Sequence, residues 1–222
     1  MSAIPGVLGQ KPPVLVLATA NEHKVTELRQ ILTPLLPEID PEQIVSMAQF
    51  RVPSPVEDSL TFEGNALIKA TTVAEATGLP AIADDSGIVV DALGGSPGVF
   101  SARWAGEHGN DGANCALLLA QLADVRDEDR GAAFVCAAAL ALPDGRSEVA
   151  EASLVGRLAH KQRGANGFGY DPIFIPEGHQ VTTAEMTAEE KNAISHRGRA
   201  FTALAPRIQE LLSWGSGVAG HV

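Results

Sequence analysis

The chain has 222 residues, of which 45% are hydrophobic and 19% are charged, so it can bury a substantial core. Its formal charge of −11 excludes the broad positive surface that neutralises a nucleic-acid backbone, and we expect no nucleic-acid partner. No run approaches the roughly 18–20 apolar residues of a membrane span, and the first residues lack the basic start and apolar core of a signal peptide. We therefore expect a cytoplasmic protein that does not contact a membrane.

Strand and helix patterns begin near residue 13 and end near residue 214. They predict a single α/β domain over 13–214, with a flexible arm at 1–12 and a flexible tail at 215–222. Cys115 and Cys136 lie in apolar stretches without the spacing of paired cysteines or of a metal site. Both are therefore predicted to be core thiols.

The predicted elements alternate between strand and helix at first and then change pattern. Continuous apolar runs indicate strands covered on both faces, and apolar residues three and four apart indicate helices. In chain order, the prediction is a strand at 13–19, a helix over 21–35, a strand near 43–50, a helix at 61–78, strand segments at 81–84 and 87–93, a helix at 110–124 with Asp111 as its cap, a hairpin of strands at 132–142 and 146–158, a short strand at 173–175, and helices at 187–193 and 195–214. This order favours an α/β fold with a mixed sheet.

A strand-to-helix turn with the sequence ATANEHK occupies residues 18–24. Such a turn aims the free N–H groups and the positive dipole end of a helix at the carboxyl end of the strand. The Thr19 hydroxyl, the Asn21 amide and the Lys24 ammonium could join those N–H groups around phosphate oxygens. The alternative is an ordinary capped helix with a solvated lysine, since the GxxxxGK[ST] pattern of a Walker loop is absent.

Two adjacent aspartates, Asp84 and Asp85, directly follow a short apolar run. We expect them at the exposed carboxyl end of a strand, where open α/β sheets bind ligands, with side chains on opposite sides if the backbone stays extended. Carboxylates suit Mg²⁺, which takes one or two of them plus substrate phosphates, and Glu57 or Asp58 is a candidate second ligand. The alternative is a solvated acidic turn completed by Ser86 and a glycine.

Phe168 lies between two glycines in the sequence NGFGYDP. An aromatic ring on such a loop can stack on a flat nucleic-acid base. The alternative is a phenylalanine that folds back into the core.

Lys191, His196, Arg197 and Arg199 lie close together in the sequence EEKNAISHRGR, in a chain that has few basic residues. An arginine fork can bind phosphate or a carbonyl-type acceptor, and a histidine can donate or accept a hydrogen bond. The alternative is a helix with solvated charges. The sequence contains no GxSxG motif, no HExxH motif and no cysteine with a suitably placed partner. A metal-activated water is therefore the expected nucleophile.

Taken in order, five stretches of the chain resemble the inosine/xanthosine triphosphate pyrophosphatase family. They are ATANEHKVTEL, TFEGNALIKA, AIADDSGIVVDALGGSPGVFSARWAG, GFGYDPIF and AEMTAEEKNAISHRGRA. The resemblance runs from Val14 to Leu212 and implies an elongated mixed β-sheet flanked by helices, with two lobes around a central cleft. It also implies a homodimer and Mg²⁺-dependent hydrolysis of ITP, dITP and XTP to the monophosphate and pyrophosphate.

The resemblance further implies roles for individual residues. Asp85 would bind the metal and act as the base toward water, Glu57 aligns loosely as a second metal ligand, and Ser86 would contact substrate. The other substrate-binding residues would be Thr19, Ala20, Asn21, Glu22, His23 and Lys24 at the phosphates, Phe168, Gly169, Tyr170 and Asp171 around the base, Lys191 at the substrate, and His196 with Arg197 at the purine.

Two other functions fit the same residues. A regulatory protein would bind the nucleotide without Mg²⁺-dependent turnover, although a pure binder gains little from a carboxylate beside phosphates. A pyrophosphatase for other modified nucleotides would share the chemistry and differ in the base that it accepts.

Overall fold

The computed structural model describes residues 11–216. Most of the predicted arm and the last six residues of the predicted tail lie outside that range. Lys11, in the predicted arm, has its ammonium 2.8 Å from Asp40 Oδ2. Near the C-terminus, the last helix continues through Ser216 and so includes the first two residues of the predicted tail. Among the described helices, none is long and apolar enough to cross a membrane.

Six strands within the described range form one open sheet. They are β1 (Leu15–Leu17), β2 (Ile44–Ser46), β3 (Ala81–Val90), β4 (Gly131–Ala141), β5 (Ser147–Leu158) and β6 (Phe174–Pro176). Their order is β2-β1-β3-β4-β5-β6, with β1 parallel to both of its neighbours and the pairs from β3 to β6 antiparallel. The mixed sheet predicted from the sequence is confirmed, whereas the division into two lobes stays a prediction.

Five α-helices in the same range flank this sheet. They are α1 (Glu22–Leu35), α2 (Phe62–Thr77), α3 (Asp111–Gln121), α4 (Ala188–Ile194) and α5 (His196–Ser216). At the start of α2, Thr61 Oγ1 accepts a hydrogen bond from the Gly64 N–H, and Gly78 ends the helix in the left-handed conformation. Thr187 and Glu190 form the predicted capping box at the start of α4.

The cap of α3 differs from the prediction. Asn110 is the N-cap, because its backbone is not helical and its Oδ1 accepts a hydrogen bond of 3.1 Å from the Ala113 N–H. The assignment of Asp111 as the cap is therefore wrong, since Asp111 is the first residue inside the helix.

The strand that carries the two aspartates also differs from the prediction. β3 runs unbroken from Ala81 to Val90 and pairs with β4 along its whole length, so Asp84 and Asp85 lie in mid-strand and are buried. The expected exposed strand end, with an acidic turn after it, is wrong. Gly87 looks like a turn residue, but it is needed because a Cβ there would lie 2.5 Å from Ser101 Oγ and 2.6 Å from the Gly98 carbonyl oxygen.

Helices cover both faces of the sheet and set the surroundings of β3. On one face α1 and α5 pack against Leu15, Leu17 and Ile82, and on the other α2 packs against Ala81 and Ala83. Because side chains alternate along a strand, Asp84 must share the face of α1 and α5, and Asp85 the face of α2. A third apolar cluster surrounds α3 and includes one of the two cysteines, both of which are buried and free, as predicted.

Candidate active site

Asp85 lies on the α2 face, where two side chains of that helix hold its carboxylate. Lys69 Nζ lies 2.9 Å from Asp85 Oδ1, and Asn65 Nδ2 donates a hydrogen bond of 3.2 Å to Oδ2. Asn65 and Lys69 are four residues apart, which places both on the side of α2 that packs against the sheet. Burial raises the pKa of Asp85, and the attraction of Lys69 only partly opposes that rise. A fixed carboxylate whose pKa is raised is suited to accept a proton.

Glu57 reaches the same place from the loop before α2. Its Oε1 lies 3.3 Å from Lys69 Nζ, so Glu57 and Asp85 contact one ammonium group. Asn65 Oδ1 accepts a hydrogen bond of 2.9 Å from the Ser59 N–H, which ties this loop to the residue that holds Asp85. The predicted pair of carboxylates is thus brought together.

The donor set at Glu57 and Asp85 fits a hard divalent cation that completes its coordination elsewhere. Within residues 11–216, no three His, Cys, Asp or Glu side chains are grouped as they would be to hold an ion by themselves. Two carboxylates that leave the other positions to water and phosphate oxygens match the coordination of Mg²⁺. Glu57 and Asp85 therefore fit the expected metal cofactor, whose remaining ligands would come from water and the substrate.

Asp84 lies on the opposite face of β3 and has its own cations. Arg197 Nε donates a hydrogen bond of 3.0 Å to Asp84 Oδ2, and Lys24 Nζ lies 3.7 Å from the same oxygen. Arg197 Nη1 also donates to both carboxylate oxygens of Glu27 at 2.9 Å. Burial would raise the pKa of Asp84, but Arg197, Lys24 and Lys69 hold it well below its usual range. The fold tolerates the adjacent carboxylates of Asp84 and Asp85 because they point to opposite faces of β3 and each is paired with a cation.

A cavity opens on the Asp84 side of β3 and contains most of the predicted substrate-binding residues. Of these, it is lined by Lys24, Ser86, Phe168, Gly169, Tyr170, Asp171, Lys191, His196 and Arg197. Asp85 and Glu57 do not line it, because they lie on the other face of the strand. The candidate site thus has two parts, a pair of carboxylates on one face of β3 and a cavity on the other.

The predicted phosphate-binding turn lies between β1 and α1 and does not line the cavity, apart from Lys24. Thr19 Oγ1 accepts a hydrogen bond of 3.2 Å from the Asn21 N–H, and Asn21 Oδ1 accepts one of 3.3 Å from the Lys24 N–H. Ser46 Oγ, at the end of β2, donates to the Thr19 carbonyl oxygen at 2.8 Å. Ala20 and Glu22 are exposed beside these bonds, and the side chain of His23 lies outside the described part of the structure.

The loop around Phe168 presents its ring to solvent. The ring is 55% exposed, which excludes the alternative in which it folds back into the core. Lys191 Nζ lies 4.8 Å from the ring centroid and 2.5 Å from Asp171 Oδ2. Asp171 also accepts a hydrogen bond from the Phe168 N–H, and the Tyr170 hydroxyl donates to a backbone carbonyl. Asp171 and Tyr170 therefore support the loop as well as lining the cavity.

His196 is held as a neutral ring beside the same cavity. It stacks on Phe134 with ring centroids 5.1 Å apart and planes 12° from parallel. Burial, then the neighbouring Arg197, Lys191 and Arg199 charges, lower the pKa of His196 to about 3 despite the opposing effect of Asp84. A neutral imidazole can both donate and accept a hydrogen bond.

We expect this lowered pKa of His196 to make the folded state less stable in acid. Between about pH 3 and its ordinary pKa of 6.5, the unfolded chain binds a proton on this ring that the folded protein does not. The free energy of unfolding should therefore fall as the pH falls through that interval. In urea titrations, the dependence should be shallower in His196→Gln, by up to about 1.4 kcal/mol per pH unit below about pH 6. Equal slopes in the two proteins would contradict the assignment.

The structure brings into the site several groups that were not predicted from the sequence. They are Asn65 and Lys69 beside Asp85, Glu27 beside Arg197, and Ser46 beside the turn. The spacing of Asn65 and Lys69 on the inner side of a predicted helix was an available signal. No sequence pattern pointed to Ser46, because its contact depends on the pairing of β1 with β2.

Known proteins are similar to this chain in both sequence and fold. The model of the Ham1 family matches residues 15–207. A protein named dITP/XTP pyrophosphatase from Streptomyces coelicolor is 59% identical over 199 residues, covering 89% of this chain and 98% of that protein. A protein of the same name from Corynebacterium efficiens is 51% identical over 204 residues, covering 89% and 98%.

Two solved structures have the same architecture. One, from Mycobacterium abscessus, carries the name nucleoside-triphosphatase / dITP/XTP pyrophosphatase, with 50% identity, a TM-score of 0.73 and coverage of 86% of this chain and 98% of that one. The other is a HAM1 protein from Coxiella burnetii, with 42% identity, a TM-score of 0.80 and coverage of 89% and 99%. The resemblance inferred from the five sequence stretches is confirmed, and the chain belongs to the Ham1 family.

Proposed function

We propose that this protein hydrolyses non-standard purine nucleoside triphosphates, namely dITP, ITP and XTP, to the monophosphate and pyrophosphate. The observation that carries the proposal is the arrangement around β3. Asp85, a buried carboxylate with a raised pKa, lies on one face of β3. The cavity on the other face is lined by an exposed aromatic ring, Phe168, and a neutral imidazole, His196. The curated relatives named dITP/XTP pyrophosphatase support the same substrate class.

The cavity is suited to a purine base with an oxygen at position 6. Phe168 offers a face for stacking, and the neutral His196 can donate a hydrogen bond to that oxygen. Where the ring nitrogen that carries the proton faces the base, the 6-amino group of adenine would meet a donor instead of an acceptor, and such a mismatch in a closed pocket discriminates strongly. Base reading by Arg197 stays a prediction, since its Nε and Nη1 are occupied by Asp84 and Glu27.

The triphosphate would be held by the turn at the start of α1 and by lysine side chains. Free N–H groups and the dipole of a helix N-terminus favour anionic oxygens, and Thr19 and Asn21 order this turn. Lys24 lies at the junction of the turn and the cavity, where its ammonium can offset phosphate charge. Glu57 and Asp85 would hold Mg²⁺, which neutralises phosphate charge and lowers the pKa of a bound water.

In the proposed reaction, Asp85 takes a proton from the water that attacks the α-phosphorus, and pyrophosphate leaves. Lys69 and Asn65 fix both oxygens of Asp85, so the carboxylate does not need to reorient during the step. The cation beside Asp85 is Lys69, whereas Lys24 and Lys191 contact Asp84 and Asp171. We therefore assign charge compensation to Lys69 beside Asp85, and to Lys24 beside the phosphates.

We expect Glu57→Gln to weaken the dependence of the enzyme on its metal. The change keeps the size of the side chain and removes one of the two carboxylate charges. The Mg²⁺ concentration that gives half-maximal rate should rise at least about tenfold, the lower end of losses seen when supporting groups of a metal are removed. Asp58→Asn, at the exposed neighbouring residue, should leave that concentration unchanged. An unchanged Mg²⁺ requirement in Glu57→Gln would remove this residue from the metal site.

A substrate panel with pyrophosphate release as the readout tests the proposed function. ITP, dITP and XTP should be hydrolysed much faster than ATP and the pyrimidine triphosphates, and only with Mg²⁺. Binding of ITP without turnover would support the regulatory alternative. Faster release from another modified nucleotide would support the pyrophosphatase of different specificity.

Four further expectations stay predictions. They are the homodimer, the cytoplasmic location, the absence of a nucleic-acid partner and the choice of Mg²⁺ over other divalent ions. The negative formal charge supports the absence of a nucleic-acid partner. The all-oxygen donor set supports Mg²⁺.

A further inference from the structure

Asp111, the first residue of α3, contacts a loop that is distant in sequence. Its Oδ2 accepts a hydrogen bond of 2.7 Å from the Gly169 N–H. Because Asn110 caps the helix, the Asp111 carboxylate is available for this contact. Asp111 also lines the cavity together with Phe168. The hydrogen bond therefore joins α3 to the loop that presents the aromatic ring.

Carboxylates hold the two successive N–H groups that follow Gly167. The Phe168 N–H donates to Asp171 Oδ2 at 2.8 Å, and the next N–H, that of Gly169, donates to Asp111. Cys115 Sγ, one turn further along α3, lies 3.3 Å from the Gly169 carbonyl oxygen. Since the ring itself is largely exposed, these backbone contacts fix its direction more than side-chain packing does.

The two carboxylates differ in what else they hold. Asp171 is 2% exposed and also binds Lys191 and Thr183, so its removal would disturb several contacts at once. Asp111 is only partly buried, and among the residues that the structure describes its side chain accepts a hydrogen bond from Gly169 alone. Residue 167 has to be glycine, because a side chain there would collide with Asp171 and its φ of 76° is left-handed. It therefore has no side chain that could hold the loop in place of Asp111.

We propose that Asp111 is a positioning residue for base binding, which fixes the Gly169 N–H and through it the ring of Phe168. The proposal rests on the proposed function in one respect, namely that this cavity takes the purine base. Asp111 does not touch the reacting phosphorus in this account. Its loss should therefore weaken nucleotide binding and leave the chemical step almost unchanged.

Steady-state kinetics with three variants test the proposal. Asp111→Ala should raise KM for ITP about tenfold, the factor expected for one hydrogen bond to a charged acceptor, with kcat within about threefold of wild type. Asp111→Asn keeps an oxygen acceptor and should restore KM to within about threefold of wild type. Asp124→Ala removes an exposed carboxylate beyond the other end of α3 and should have no effect. Equal impairment in the Ala and Asn variants would overturn the proposal, as would a fall in kcat at unchanged KM.

Hydrogen exchange of the Gly169 amide provides a readout that does not need turnover. The amide should exchange about tenfold faster in Asp111→Ala than in wild type, with Asp111→Asn in between. Unchanged exchange, or faster exchange with unchanged KM, would overturn the proposal. If wild-type protein released no pyrophosphate from ITP, the proposed function would fail instead, and binding of ITP measured by calorimetry would replace KM in the same comparison.

Discussion

Replacement of Asp85 by asparagine is expected to lower kcat for ITP by ~10²–10⁴-fold, the usual contribution of a positioned proton acceptor. Asparagine has the same shape but only one acceptor oxygen, so it can keep the hydrogen bond from Lys69 or the one from Asn65, not both. What is lost is the basic oxygen and the negative charge toward the metal. Lys69 keeps Glu57 Oε1 as a partner at 3.3 Å, so the protein should stay folded, which separates a catalytic defect from misfolding.

A matched variant just beyond the end of the same strand controls for this change. Asp91→Asn alters an exposed carboxylate immediately after β3 and should leave kcat unchanged. Rates are best compared at saturating Mg²⁺ and ITP, with unfolding by urea measured in parallel. If Asp85→Asn kept more than about a tenth of the wild-type rate, Asp85 would not be the base.

Arg197→Ala is expected to destabilise the fold by about 3–5 kcal/mol, the usual cost of leaving one member of a buried ion pair without its partner. Arg197 is 3% exposed and its guanidinium holds both Asp84 and Glu27. Its removal leaves Asp84 buried with Lys24 at 3.7 Å as its remaining close cation. Because Lys24 compensates in part, the lower end of that range is expected.

Urea unfolding at neutral pH measures this effect, with Arg199→Ala as the control. Arg199 is exposed two residues further along α5, and its loss should change the free energy of unfolding by no more than about 0.5 kcal/mol. A shift of less than about 1 kcal/mol in Arg197→Ala would show that the pair with Asp84 is not a main support of the fold. Base preference should be compared only in variants shown to be folded.

The fold was largely predictable because its signals are local. The run before Asn21, the apolar spacing of α1 and the capping box of Thr187 and Glu190 at α4 each depend on a few neighbouring residues. The error at Asp84 and Asp85 arose from the same local reasoning. Two charges followed by Ser86 and Gly87 are typical of a turn, and only the pairing of β3 with β4 and the packing of Ser101 against Gly87 keep the strand extended.

The candidate site was predictable in its residues more than in its arrangement. Alternation along an extended strand correctly separated Asp84 from Asp85, but the sequence could not say which cation each would meet. Those partners, Lys69 for one and Arg197 for the other, come from helices on opposite faces of the sheet. Such pairings depend on how distant elements pack, which is not encoded in any single segment.

Hydrolysis of ITP in water labelled with heavy oxygen tests the central claim most directly. If a water activated by the carboxyl group at position 85 strikes the phosphorus nearest the ribose, mass spectrometry will find the label in IMP and none in pyrophosphate. Label in pyrophosphate, or release of single phosphate with IDP, would mean that a different phosphorus is attacked and would contradict the account.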